Sequence, residues 1–276
     1  MLTPAQYLQM AIASAIKQLF DLPYAPHNIE IKIAESRYNC HYTSAIAIAI
    51  APLLRNLSAS NLTTFSPPQI AILIADVCQQ QSAQFIIYAP SQGKGWLNIE
   101  LQPQYLASTL LEMDRWQIPN LVNHDGFWLR DQPECNANSP SHSGFSSQPN
   151  AQIQYAYARC CGLLRLAYNH VGSPLTFAKI TSDQIGWSDR YEINLLLHNL
   201  AIVDYLHTAN YTHSHHHKIT QKLSISLSQS FLEFFDHCRI VGVTSAIAQT
   251  RTILARITQK HLLAIAPPTV DYAMAL

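Results

Sequence analysis

A chain of 276 residues leaves room for about two domains, each large enough to bury its own core. Hydrophobic residues make up 48% but charged residues only 12%, against a usual share of about 25%, so Gln, Asn, Ser, Thr and His supply much of the polar surface. The 17 Lys and Arg balance 17 Asp and Glu, which excludes a polybasic arm or an acidic tail as the main device and leaves nucleic-acid contact to a local patch or to stacking.

Gln6 to Phe20 reads as a helix. Ile29, Ile31 and Ile33 alternate with Glu30 and Lys32, the period of a half-buried strand. Ser44 to Leu54 reads as a buried helix, and Pro67-Pro68 opens another that runs to about Val77, with proline at its first turn. Phe85 to Tyr88 and Trp96 to Leu101 are short strands separated by the turn Ser91-Gln-Gly-Lys-Gly95, and a helix from Pro103 to Trp116 closes the unit.

From Gln117 to Asn150 the chain is rich in Pro, Ser, Asn and Gly without an apolar period, which is linker composition, most strongly so from Asn136 to Asn150. Four helices follow. Ile153, Tyr157, Cys160, Leu164 and Ala167 line one face of Ala151 to His170. Tyr191, Leu195, His198, Ile202 and Tyr205 mark a second helix, and Ile219, Leu223, Leu227, Phe231 and Phe234 a third. Thr244 to Leu263 supplies the fourth, ended by Pro267-Pro268. The predicted architecture is α+β: a small α/β N-terminal domain (1–116), a linker (117–150) and an all-α helical bundle (151–276).

The six cysteines form no CxxC pair and no secreted-type framework, and the N-terminus has no basic region followed by an apolar core. The apolar run Ala45 to Leu54 is too short for the roughly 20 residues of a membrane span. These features set the expectation of a soluble, cytoplasmic chain without a membrane partner.

The string Ile153-Gln-Tyr155-Ala-Tyr157-Ala-Arg159 resembles the helix that opens the anticodon-binding domain of arginyl-tRNA synthetases. Glu192-Ile-Asn-Leu195, Ala201-Ile-Val203, Leu223 through Val241 and Arg251-Thr-Ile-Leu254-Ala-Arg256 resemble that domain's later helices, although the Asp-Ala-Leu-Arg string that names the domain is absent. Asn39-Cys-His41-Tyr42-Thr-Ser44-Ala45 and Gly93-Lys-Gly95-Trp96-Leu97-Asn98-Ile99 resemble the additional N-terminal domain of the same synthetases, the latter segment being one that in the family approaches the D-loop of tRNA. The Gly and Asp of the family's Gly-Asp-Tyr-Ala-Thr-Asn-like stretch are replaced. Between these parts the family carries a nucleotide-binding catalytic domain, and here only the linker stands. Neither a His-Ile-Gly-His-like turn nor a Lys-rich loop occurs, and His170-Val-Gly-Ser173 follows a bundle helix rather than a strand. The resemblance implies a non-catalytic chain that keeps the RNA-handling flanks of a synthetase.

Tyr155 and Arg159 lie one helical turn apart, where a ring beside a cation suits an unpaired base and its phosphate, or caps the bundle edge. Trp96 and Asn98 share a strand face, with the choice between engaging a base and packing as ordinary strand residues. Arg239, Arg251, Arg256 and Lys260 form a phosphate-facing stripe or a solvated helix surface. His213, His215, His216 and His217 read as a polar inter-helix loop rather than a metal site, because no Cys or carboxylate completes a tetrahedral set. Cys160 and Cys161 read as packed apolar groups, and no catalytic residue or cofactor is expected. The expected function is binding of tRNA or a tRNA-like RNA. Its rivals are a protein-interaction module on a retired RNA-binding scaffold and the RNA-binding chain of a split synthetase.

Overall fold

The computed structural model describes residues 2–34, 40–57, 65–90, 94–118, 148–170, 180–208 and 213–265. It divides into two compact units, Leu2–Thr109 and Leu110–Leu276. The division falls inside one helix. Most of the expected linker (119–147), the His-Val-Gly-Ser segment beyond His170, and the Pro267-Pro268 stop lie outside the described residues.

The first unit holds α1 (Pro4–Phe20), β1 (Lys32–Ile33), β2 (Tyr42–Ser44), α2 (Ile46–Leu57), α3 (Pro67–Gln81), β3 (Phe85–Tyr88), β4 (Leu97–Leu101) and the start of α4 (Pro103–Arg115). A capping box starts α1: Gln6 N–H donates to Thr3 Oγ1 and Thr3 N–H to Gln6 Oε1, with Pro4 in the first turn. Two prolines open α3 behind Ser66, whose N–H donates to Gln69 Oε1.

The strands form one antiparallel sheet in the order β1-β2-β4-β3. Phe85, Ile87, Leu97, Ile99 and Leu101 point into the core with Leu8, Ile12 and Ile16 of α1 and Ile70, Ile74 and Cys78 of α3. Their alternate neighbours Ile86, Asn98 and Glu100 are more exposed, as a strand's period of two requires. The turn before β4 needs Gly95: its φ is +97°, and an added Cβ would lie 2.7 Å from Pro67 Cβ.

The alternation at Ile29, Ile31 and Ile33 predicts a longer first strand than the structure has. Pro26–Asn28 forms a 3-10 turn whose Pro26 carbonyl accepts from Ile29 N–H, and the Ile29 carbonyl accepts from Gln9 Nε2. With both backbone groups engaged elsewhere, pairing is confined to Lys32 and Ile33.

The second unit takes the end of α4 and four long helices: α5 (Gln148–His170), α6 (Arg190–Thr208), α7 (His213–His237) and α8 (Ser245–Ile265). The face expected on α5 is buried throughout, and burial pushes the Cys160 and Cys161 thiols above their ordinary pKa. The histidine run is helical, since α7 begins at His213, which corrects the expected loop. Ile219, assigned to the buried face of α7, is 44% exposed. Helix α8 packs against α5, α6 and α7 and is buried on nearly every side. It carries three charged residues, Arg251, Arg256 and Lys260, among mostly apolar or small ones. Among the described residues, no helix is long and apolar enough to cross a membrane.

Candidate nucleic-acid interface

On α5, Tyr155 is 50% exposed, and Arg159 beside it is also exposed. The four-residue spacing stacks them on one helical stripe, where Arg159 Nη2 donates to the Tyr155 hydroxyl at 2.7 Å. The guanidinium carbon lies 4.8 Å from the Tyr155 ring centroid and 5.4 Å from that of Phe235 on α7. Two rings and a hydrogen bond therefore hold an exposed cation in place, a contribution of Phe235 that only the folded chain reveals. A pinned ring-and-cation pair can stack on a base and meet its phosphate with little further ordering.

The basic stripe is corrected. Arg251 is 6% exposed: its Nε donates to Glu192 Oε1 at 2.6 Å, Nη2 to Ser188 Oγ at 2.8 Å, and Nη1 to the Arg239 carbonyl. Glu192 is fully buried and also accepts from Ser188 N–H at 2.8 Å and Asp189 N–H at 3.1 Å, capping the start of α6. Arg256 grips Asp114 with two hydrogen bonds of 2.9 and 2.6 Å, and Lys260 donates to the Asp114 carbonyl at 3.1 Å. Burial lowers the Lys260 pKa, and the Asp114 carboxylate opposes that shift. These three cations hold helices in place because α8 is central and a charge on a central helix needs a partner. Arg239 is exposed.

In the first unit, Trp96 is 39% exposed one residue before β4, and Asn98 within β4 is partly exposed. The register places Lys32, Thr43, Asn98 and Tyr88 in one row across the four strands. This outer face joins rings with short polar groups, the surface chemistry that receives splayed bases. At its edge, Leu101 N–H donates to His41 Nδ1 at 2.8 Å, so His41 carries its proton on Nε2, and burial lowers its pKa.

Among the described residues, no three His, Cys, Asp or Glu side chains are grouped to hold a metal. The side chains of His213 to His217 lie outside the described residues.

Residues 153–268 match the family model of the DALR anticodon binding domain. The helical bundle is of that anticodon-binding type. No curated protein and no solved structure matches the chain. The matched stretch carries ten Lys and Arg against six Asp and Glu, a net charge of +4, while residues 2–109 carry five of each. The neutrality of the whole chain thus conceals a basic bundle.

Proposed function

We propose that this chain is a non-catalytic, cytoplasmic, arginyl-tRNA synthetase-like protein that binds tRNA or a tRNA-like RNA. The match of residues 153–268 to the anticodon-binding family carries the reading. The net positive charge of that stretch and the pinned Tyr155–Arg159 pair support it. The first unit adds the face bearing Trp96 and Asn98, read as the counterpart of the synthetases' additional N-terminal domain. The chain contains no His-Ile-Gly-His-like turn, which supports RNA binding without adenylation.

Competition at low salt tests the RNA reading: labelled, unfractionated tRNA should be displaced by tRNA far better than by duplex DNA of similar charge. Equal displacement by both would reduce the interaction to charge alone and remove the anticodon-arm reading. ATP–pyrophosphate exchange with arginine tests the other half, and turnover abolished by a substitution in this chain would refute it.

A second reading, a surface for a protein partner, rests on α2. Its outer side presents Ile48 at 39% and Leu53 at 43% exposure, with Ala49 and Pro52 between them. Ile48→Gln/Leu53→Gln should abolish capture of such a partner and leave tRNA affinity unchanged.

A further inference from the structure

A second ring-and-cation group stands on the bundle, made by the start of α6 and the end of α7. Tyr191 and His237 stack with centroids 4.0 Å apart and planes inclined by 19°. Arg190 lies 5.0 Å from the Tyr191 centroid, and its Nη2 donates to the Tyr191 hydroxyl at 3.2 Å. His237 Nδ1–H donates to the Glu233 carbonyl at 2.8 Å, which fixes the tautomer and the ring plane. Tyr191 is partly covered, whereas His237 and Arg190 are exposed.

We propose that the Arg190–Tyr191–His237 stack is a second RNA subsite, in which the exposed ring of His237 receives an unpaired nucleobase. The inference rests on the RNA-binding reading above and adds a location that the sequence did not single out. An exposed imidazole on a helix end ordinarily samples several rotamers. Here a stacking partner on α6 and a hydrogen bond to its own helix hold it, so a base meets a flat, ordered ring. The carboxylates of Asp189 and Glu233 act on Arg190 and offset its charge. Attraction at this subsite therefore comes from ring stacking, which tolerates any base, and little from phosphate neutralisation.

The test uses the full chain and unfractionated tRNA. His237→Ala should weaken binding roughly tenfold, the size of one lost stacking contact, with an unchanged salt slope, and His237→Phe should restore affinity. Because His237→Ala also loosens the α6–α7 contact, the His237 ring protons of the parent provide a readout that a merely structural role would not move. Assigned by their absence in His237→Phe, they should shift upfield on addition of tRNA. Unmoved ring protons, or equal affinity of the Ala variant and the parent, would overturn the subsite while Tyr155→Ala still reports on the first one. A parent that binds no tRNA at all removes both.

Discussion

Glu192 and Arg251 face each other at 2.6 Å with side chains 0% and 7% exposed, so each depends on the other for the loss of water. Removing one partner leaves a buried charge uncompensated. Arg251→Met is expected to lower stability by about 3–5 kcal/mol, read as a drop in urea midpoint at constant m-value. Unchanged stability would mean that water reaches the Glu192 carboxylate in place of the guanidinium. A second buried polar group sets a pH dependence. His261 Nδ1–H donates to Asn199 Oδ1 at 2.8 Å, and complete burial lowers its pKa to about 3. In the unfolded chain the same ring takes a proton near pH 6.5. Its contribution is complete above pH 6.5 and is lost as pH falls toward 3, at most about 1.4 kcal/mol per pH unit. Between pH 7 and 5 the chain should lose on the order of 2 kcal/mol from this group, and His261→Gln should flatten that slope. His198 shifts in the same direction through burial and adds to the slope.

At the scale of elements, helices and the two long strands were legible because their apolar residues repeat with clear periods and because prolines mark their starts. Helix α5, with Ile153, Cys160 and Ala167 buried, and the hairpin strands at 85–88 and 97–101 follow this logic. What was not legible depends on distant partners. The sequence places Arg251, Arg256 and Lys260 at helical spacing, but Glu192 lies 59 positions from Arg251 and Asp114 lies 142 from Arg256. Tyr191 and His237 likewise meet only when α6 and α7 fold back on one another. Two substitutions probe these elements. Asp114→Ala should remove both carboxylate hydrogen bonds of Arg256 while leaving the backbone carbonyl to Lys260, and cost about 1–3 kcal/mol, visible as a lower thermal midpoint. Gly95→Ala should cost a similar amount, about 1–3 kcal/mol, by combining a positive φ with a clash against Pro67 at the start of α3. A Gly95→Ala protein as stable as the parent would show that the turn relaxes freely.

Over the whole molecule, the proposed RNA binding would divide its work between charge and aromatic rings. The matched stretch has a net charge of +4, but its three cations on α8 are engaged within the fold, which leaves Arg159, Arg165, Arg190, Lys218, Lys222 and Arg239 as its exposed cations among the described residues. So small a set predicts a shallow salt dependence, with affinity supplemented by stacking. The most direct measurement is a titration of tRNA across a range of salt with the parent, Tyr155→Ala, Tyr155→Phe and Arg159→Ala, each checked for fold by circular dichroism. Tyr155→Ala should weaken binding by about 1–3 kcal/mol, Tyr155→Phe should keep most of the affinity, and Arg159→Ala should flatten the salt slope by about one ion. Absence of tRNA binding by the parent at low salt, or full affinity in both alanine variants, would contradict the assignment of this helix to RNA.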